Sequence, residues 1–437
     1  MKRVPQKTVT FRFEEHTLPN GLCVLALPDR TVPVVSFQIH FAAGSRNERP
    51  GITGISHLFE HMMFRGSKEL GPEEFSRIIQ ANGGTTNAFT TTDNTSYFEN
   101  LPAGKLELAM HLEAERLENL RITEENLTTE REVVRSERKY RTVNSPFGLV
   151  MEELFAVAFH IHPYRWPVIG WDQDIRNLTL QDCLEYHRVH YAPNNAVVAM
   201  VGDLDPDRAF SMMEKHFGHI PSQPPPVPLQ VRENPQRGER RTIYKKVAQT
   251  PAFFAGFHVP PVTDPDIFPL LVLTSLLCHG KSSRFYQRFI KTGRAVEAKV
   301  ELGPPPFLTM DPGLLVTAVV ASPDEDIQML ERDVWQEIES VRRDPVDEAE
   351  LDRSKKKLRS SYLMSLQTHF YKGITAGIYR IRAGDHSWIN RVEPSYLSVT
   401  AEDVMNVANR YLHEDNRTVV TLVPVSPRES EKWGEYE

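Results

Sequence analysis

Cysteine is scarce in this chain, and its scarcity excludes two kinds of protein. Three cysteines occur among 437 residues, at Cys23, Cys183 and Cys278, an odd number at wide spacing. Disulfide-held secreted domains and cysteine-based metal sites both need thiols in pairs at shorter intervals. We therefore expect three free thiols packed in the interior.

Long apolar runs and an excess of positive charge are also missing. No stretch of eighteen apolar residues occurs, so the sequence predicts no membrane-spanning helix and no membrane partner. The formal net charge is −7, which argues against a nucleic-acid partner. Residues 1–7 are basic, but no apolar segment follows them as in a signal peptide. The default expectation is a cytoplasmic location, unless a targeting segment was removed.

The composition is otherwise that of a globular protein. Hydrophobic residues make up 40% of the chain and charged residues 25%, which is enough for a large core. The length suggests two to four domains.

One short stretch has a metal-binding pattern. His57, Glu60 and His61 form the sequence H-x-x-E-H within residues 54–64. On a helix, spacings of three and four residues place these side chains on one face, about a turn apart. Two imidazoles so placed can bind one zinc ion, and a carboxylate beside them can accept a proton from the metal-bound water.

The residues around the motif favour a helix. Thr53 or Ser56 can cap its start, and Gly66 can end it. The alternative is a helix whose two histidines are ordinary surface or core residues, which would be preferred if only one histidine were present.

The H-x-x-E-H order resembles that of the inverzincins, and the chain is similar to the pitrilysin/insulinase family of zinc metallopeptidases. That family includes the mitochondrial processing peptidase. Its third zinc ligand is a glutamate on a later helix, within a pattern like E-R-x-x-x-x-x-E. Residues 130–137 match this pattern. The resemblance implies that His57, His61 and Glu137 bind one zinc ion, that Glu60 is the general base, and that Glu130 supports the site from behind.

Two further stretches have competing interpretations. By itself, the charged helix predicted over 124–142 would be a solvated surface element. Residues 85–99 are rich in threonine and aromatics, which favours strands. In the resembled family, a strand at this position binds the substrate backbone beside the zinc, which implies contacts from Asn87, Ala88 and Phe89. An ordinary hairpin fits the local composition equally well.

The two halves of the chain repeat a pattern. Thr179-Leu180-Gln181-Asp182 is answered by Thr400-Ala401-Glu402-Asp403, 221 residues later, and Asn195 is answered by Asn416 at the same offset. Each four-residue segment is followed by a predicted helix. We therefore expect a duplicated unit, of which only the first copy has the zinc motif.

The resemblance implies an α+β protein with two homologous domains, each an antiparallel-rich sheet packed with helices. The expected boundaries are an N-terminal zinc-binding domain at 1–220, a linker at 221–241 that contains three consecutive prolines, and a metal-free domain at 242–437.

The resemblance implies a zinc metalloendopeptidase that hydrolyses short or unfolded peptides inside a closed chamber. In this family, two pairs of such domains enclose the chamber, and this chain supplies one pair. One alternative is the beta-type subunit of a processing peptidase that removes targeting sequences. The other is a structural subunit of a larger complex without activity, against which the intact ligand set argues.

One part of the family pattern is missing. Active members have an arginine, and a tyrosine seven residues later, in a pattern like S-S-R-L-F-Q-x-L-R-x-x-x-G-L-A-Y. Ser282–Gln287 match its beginning, but Ile290 falls at the arginine position and Glu297 at the tyrosine position. Neither Arg288 nor Arg294 has a tyrosine seven residues later. The resemblance therefore implies a heterodimer, in which a homologous partner without zinc supplies the Arg/Tyr pair.

Overall fold

The computed structural model describes residues 9–433, which form two β-sheets packed with helices. Its strands, in chain order, are β1 (Glu14–Thr17), β2 (Cys23–Pro28), β3 (Val34–Phe41), β4 (Thr85–Thr90), β5 (Thr95–Pro102), β6 (Ala196–Gly202), β7 (Arg240–Val247), β8 (Ala252–Val259), β9 (Ala295–Glu301), β10 (Gly313–Ala321) and β11 (Arg417–Val425).

The helices vary from one turn to eighteen residues. In chain order they are α1 (Ile55–Met62), α2 (Glu74–Ala81), α3 (Leu106–Asn119), α4 (Glu124–Arg138), α5 (Gly148–Ala158), α6 (Asp172–Asn177), α7 (Leu180–His190), α8 (Pro206–Phe217), α9 (Ile267–Cys278), α10 (Ile327–Arg343), α11 (Glu348–Ser365), α12 (His369–Arg382), α13 (Val392–Ser398), α14 (Ala401–Tyr411) and α15 (Pro427–Ser430).

Among the described residues, the first compact unit comprises 9–136, 166–230 and 364–391. Its sheet has the order β1-β2-β6-β3-β5-β4, in which only β2 and β6 are parallel. Alternate residues of β3 point to opposite faces. Phe37, Ile39 and Phe41 belong to the main hydrophobic core, which also contains α1 residues.

Polar residues of β3 occupy the other face, against helix α12. Added Cβ atoms at Gly373 and Gly377 would lie within 2.7 Å of Gln38 and 2.3 Å of His40, respectively. The two glycines therefore let the helix approach the sheet closely. Gln38 Nε2 donates to the Phe370 carbonyl at 2.8 Å, which satisfies one of the buried polar groups.

Among the described residues, the second compact unit comprises 137–165, 231–363 and 392–433. Its sheet has the order β7-β11-β8-β10-β9, with β7 and β11 parallel and the other pairs antiparallel. This is the arrangement of β2-β6-β3-β5-β4 in the first unit. The predicted α+β class with two similar sheet-and-helix units is thereby confirmed.

Hydrogen bonds at equivalent positions confirm the predicted repeat. Thr179 and Thr400 each begin a helix with a capping box, and Asp182 and Asp403 complete the two boxes. After the helix, Asn195 Nδ2 donates to the His190 carbonyl, and Asn416 Nδ2 donates to the Tyr411 carbonyl, both at 2.8 Å. The matching residues therefore make the same hydrogen bonds in both copies.

The two units do not follow the chain in one pass. The chain leaves the first unit between residues 230 and 231, inside the predicted linker 221–241, and β7 begins at Arg240. However, α5 packs on the second sheet and α12 on the first. Each half of the chain therefore contributes one segment to the unit that is formed mainly by the other half. The domain boundaries at 1–220 and 242–437 stay a prediction.

The cysteines are free, as expected. Cys23 and Cys183 are buried, and Cys278 is half-buried. Burial raises the pKa of the Cys23 thiol to about 11 and that of Cys183 to about 12. None of the helices within 9–433 is long and apolar enough to cross a membrane. The basic segment 1–7 lies outside the described residues, and the cytoplasmic location stays a prediction.

Candidate metal centre

Helix α1 places the two histidines of the motif on one side and its apolar residues on the other. Leu58, Phe59 and Met62 are fully buried in the core of the first unit. His57 is 8% exposed, the His61 side chain is half-buried, and the two ring centroids lie 4.9 Å apart. The predicted helix, with both imidazoles on one face, is therefore present.

The start of α1 differs from the prediction. Its N-cap is Gly54 in a left-handed conformation, with φ +89°, and neither Thr53 nor Ser56 provides a side-chain cap. Instead, the buried carboxylate of Glu48 accepts hydrogen bonds from the backbone N–H groups of Gly54 and Ser56, at 2.8 and 2.9 Å. Burial raises the pKa of Glu48 to about 8. The helix ends at Met62, four residues before Gly66.

Helix α4 brings Glu137 to the two histidines. One ligand atom from each of His57, His61 and Glu137 lies within 4.8 Å of the others. The helix is continuous to Arg138, although the division of the chain into units falls after Ser136. Imidazole nitrogens and a carboxylate oxygen are ligands that zinc prefers, and tetrahedral donors lie roughly 3.3 Å apart. Small side-chain rotations would close this set around an ion, so the residues fit zinc.

The alternative interpretation of α4, a solvated surface helix, is wrong for one of its faces. Leu127 and Val134 are fully buried, and Glu130 is 1% exposed. Glu137 lies beside this face and is half-buried, with its side chain also paired to Arg141 at 2.7 Å. Helix α4 therefore has a packed face, although its sequence is mostly charged.

Glu130 contacts His61 and Arg65. Its Oε2 lies 3.2 Å from His61 Nδ1, and its Oε1 lies 2.5 Å from Arg65 Nε. Burial opposes ionisation of this carboxyl, but the contacts with His61 and Arg65 outweigh burial and lower its pKa. A charged Glu130 favours the His61 tautomer with its proton on Nδ1, which is the tautomer that binds a metal through Nε2.

Thr90 contacts Glu60, the expected general base. The sequence gave no indication of this contact. Its Oγ1 donates a hydrogen bond of 2.6 Å to Glu60 Oε2. Thr90 is the last residue of β4, within a run of threonines that gave no reason to single it out. The bond fixes the position of one carboxylate oxygen of Glu60.

The turn after β4 is held by a buried arginine from the distant helix α12. Arg382 Nη2 donates to Thr91 Oγ1 and Asn94 Oδ1, both at 2.8 Å. Arg382 is 4% exposed. The turn therefore has a fixed position, and Thr90 with it.

Strand β4 forms one edge of the first sheet, next to α1. Asn87 and Ala88 pair with Phe98 and Tyr97 of β5, and no described strand pairs with the opposite side of β4. Asn87 is exposed, while Ala88 and Phe89 are half-buried. The edge is open to an added strand, which is the geometry that the substrate-binding interpretation requires.

The counterpart of α1 in the second unit lacks the H-x-x-E-H motif. Helix α9 follows β8 as α1 follows β3, and its sequence, Ile-Phe-Pro-Leu-Leu-Val-Leu-Thr-Ser-Leu-Leu-Cys, contains no histidine or acidic residue. All of its residues except the last are buried.

Two models of one peptidase family match the chain in succession. The model described as insulinase, peptidase family M16, matches residues 24–170, and the M16 inactive domain matches residues 177–358. The chain belongs to this family of zinc metallopeptidases.

Individual relatives agree with this assignment. The zinc protease PqqE of Helicobacter pylori is 29% identical over 94% of this chain and 93% of its own length. A probable mitochondrial-processing peptidase subunit beta of Arabidopsis thaliana is 23% identical over 94% of this chain and 78% of its length. A crystal structure of a Helicobacter pylori protease covers 95% of this chain and all of its own, with a TM-score of 0.90 and 29% identity.

A more distant structure shares the fold alone. The periplasmic protease PqqL of Escherichia coli has a TM-score of 0.76 at 16% identity, and the match covers 99% of this chain but 51% of PqqL. The inactive second domain named by the family model agrees with the absence of ligands in α9.

Proposed function

We propose that this protein is a zinc metalloendopeptidase that hydrolyses short or unfolded peptides. The observation that carries the proposal is the convergence of His57, His61 and Glu137 within 4.8 Å, with Glu60 on the same helix face. Family membership and the names of the relatives support the same activity.

Each residue of the site has a role in this reaction. Zinc bound by the two histidines and Glu137 would polarise the scissile carbonyl and lower the pKa of a bound water to roughly 7. Glu60 accepts the proton of the attacking water and passes it to the leaving amine. Thr90 holds Glu60 in place, and Glu130 holds His61.

The substrate backbone is proposed to add to the edge strand β4 at Asn87, Ala88 and Phe89. An extended peptide there would run beside the metal ligands, because β4 lies next to α1. An unfolded segment can pair along this edge, whereas most backbone groups of a folded domain are already paired within it.

The proposed active form is a heterodimer that encloses the peptide in a chamber. Ile290 and Glu297 stand where active relatives have the arginine and the tyrosine. The nearby arginines are engaged within the chain: Arg288 pairs with Glu337 at 2.7 Å and Arg294 with Asp333 at 2.6 Å. A homologous partner without zinc would supply the missing pair, which would stabilise the developing oxyanion.

A second candidate is a processing peptidase that removes targeting sequences, with this chain as its beta-type subunit. The similarity to a probable mitochondrial-processing peptidase subunit beta favours it. The non-enzymatic alternative, a structural subunit, predicts no stoichiometric zinc, and a metal assay on the purified protein separates the two classes.

Replacement of Glu60 by Gln tests the proposal, because it keeps the size of the side chain and removes the base. We expect zinc content to stay at one per chain while hydrolysis of an unfolded fluorogenic peptide falls at least ~100-fold. The protein is assayed together with its co-purified partner. Glu69→Gln, a change at an exposed acid in the loop after α1, is the control. Near-normal turnover of Glu60→Gln, or wild-type protein without zinc, would contradict the proposal.

A further inference from the structure

We propose that helices α3 and α8 of the first unit hold a second zinc site, with Glu107, His111 and His216 as its ligands. This site shares no ligand with the H-x-x-E-H centre and does not depend on the proposed peptidase activity. The ion would link the two helices at the surface of the unit, and a water molecule would complete a four-coordinate shell.

Two of the three donors already have the spacing of metal ligands. His216 Nε2 lies 3.2 Å from Glu107 Oε1, and donors around a tetrahedral zinc ion lie roughly 3.3 Å apart. The His216 side chain is 14% exposed, so packing limits the directions that its ring can take. Hydrogen bonds from Lys215 and His216 lower the pKa of Glu107, so this carboxylate is charged at neutral pH, which is the form that binds metal.

His111 can supply the third donor. It follows Glu107 by four residues on α3, so the two side chains lie on one face of the helix, about a turn apart. The ring centroids of His111 and His216 lie 5.9 Å apart, compared with 4.9 Å for the two histidines of the zinc motif. The His111 side chain is 50% exposed, and its Nε2 lies 3.8 Å from Glu69. Rotation of this exposed ring away from Glu69 would turn it toward the other two donors.

The helices that carry the ligands are fixed by the core. Ala109 and Met110 of α3 and Met213 and Phe217 of α8 belong to the main hydrophobic core of the first unit. Ligands on packed helices keep their spacing better than ligands on loops. The ion would therefore meet donors whose backbone positions are already set.

A lysine makes this site weaker than the first centre. Lys215 Nζ lies 2.7 Å from Glu107 Oε1, the same oxygen that faces His216. Zinc must displace this cation before it can bind the oxygen. We therefore expect dialysis to remove the second ion, while the ion at the first centre stays bound.

A neighbouring pair of side chains offers a matched control. His219 Nε2 lies 3.1 Å from Glu118 Oε2, much as His216 lies beside Glu107. This pair provides one imidazole and one carboxylate, whereas zinc sites have at least three protein ligands. The inference predicts that zinc binds at His216 and not at His219.

Calorimetric titration tests the inference. Full-length protein that has kept its first zinc through dialysis is titrated with zinc chloride at neutral pH, and we expect one further binding event per chain. Loss of an outer contact already lowers metal affinity roughly 10- to 100-fold, so His111→Ala and His216→Ala should each weaken this event at least ~10-fold. His219→Ala should leave it unchanged.

Chemical modification locates the ion in the unaltered chain. Diethyl pyrocarbonate acylates neutral imidazoles, and the side chains of His111 and His219 are similarly exposed, at 50% and 58%. Zinc at saturation should slow the modification of His111, measured by mass spectrometry of proteolytic peptides. His219 should stay as reactive as it is without the second ion.

The outcome is independent of turnover. A further zinc-binding event in wild-type protein that cleaves no peptide would refute the peptidase and keep the second site. The inference is overturned if the wild type shows no further binding event, or if the event keeps its affinity in both His111→Ala and His216→Ala. Equal protection of His219 and His111 by zinc would also overturn it.

Discussion

Glu137 and Glu130 lie on the same helix but contact different groups, so their removal should have different effects. Glu137 lies with the two histidine donors, and Glu130 contacts His61 Nδ1. We expect Glu137→Gln to lose most of its zinc, because two imidazoles alone leave the ion under-coordinated. Glu130→Gln should keep more zinc and lose activity roughly 10- to 100-fold.

Zinc content after dialysis, together with competition against a chromogenic chelator, measures both effects. Glu132→Gln, on the exposed side of the same helix, is the matched control. If Glu137→Gln retains as much zinc as the wild type, then Glu137 is not a ligand.

Thr90 provides a finer test of the base. Thr90→Val removes the hydroxyl that donates to Glu60 Oε2 but keeps the shape of the side chain. We expect kcat to fall about tenfold, on the scale of a lost hydrogen bond to a charged group, with KM and zinc content little changed. Thr90→Ser should restore most of the loss. A Thr90→Ser variant as slow as Thr90→Val would show that the hydroxyl does not position the base.

Helix α12 packs on strands β3 and β6 of the first sheet, which lie far before it in the sequence. Lys372 Nζ lies 2.5 Å from Asp29 Oδ2, at the end of β2, and His369 Nε2 lies 3.4 Å from the same oxygen. Burial opposes ionisation of Asp29, but the hydrogen bonds from Lys372 and Thr31 outweigh it and hold the pKa of Asp29 well below its usual range.

This pair gives a pH-dependent prediction. Because the folded pKa of Asp29 is depressed, its contribution is complete above the ordinary carboxyl pKa of about 4 and is lost as the pH falls toward the folded pKa. Asp29→Asn should therefore reduce the free energy of unfolding by about 1.5–3 kcal/mol at pH 7, and by less below pH 4.

Urea unfolding of the whole chain, followed by far-ultraviolet circular dichroism at pH 7 and at a pH below 4, checks this expectation. Asp203→Asn is the control, since Asp203 is 41% exposed and pairs with Arg30 at 3.8 Å. Asp203→Asn should change the free energy of unfolding by no more than about 1 kcal/mol. An Asp29→Asn penalty that is the same at both pH values would argue against the ion pair as its source.

At the scale of the whole molecule, the missing Arg/Tyr pair makes a prediction about assembly. The purified chain should bind one zinc ion yet cleave peptides poorly, and adding its homologous partner should restore activity by at least ~100-fold, the scale of lost oxyanion stabilisation. Native mass spectrometry of protein from the original cells would report zinc and partner together.

Two mixtures serve as controls for the assembly. Partner added to Glu60→Gln should remain inactive, which would locate the reaction in this chain. Partner in which the arginine and tyrosine are replaced should bind but not activate. Full activity of the pure chain as a monomer or homodimer would refute the heterodimer.

Features that depend on neighbouring residues were predictable from the sequence. The H-x-x-E-H spacing placed His57 and His61 on one helix face, because a helix has a fixed period. The matching segments that begin at Thr179 and Thr400 indicated the repeat, and the structure shows that each of them is a capping box within four residues. The assignment of Glu137 required the family resemblance, and the two helices then brought its donor atom to the histidines.

Features that depend on contacts between distant segments required the tertiary structure. Thr90 reaches Glu60 across 30 residues, and Arg382 reaches Asn94 across 288. Glu48 also caps α1 from the preceding loop, over six and eight residues, and no capping motif in the sequence indicated this contact. The segment with α5 belongs to the second unit and the segment with α12 to the first, and these placements also depend on contacts between distant segments. Local periodicity gives the direction of a side chain from its own helix or strand, but only packing determines which distant group it meets.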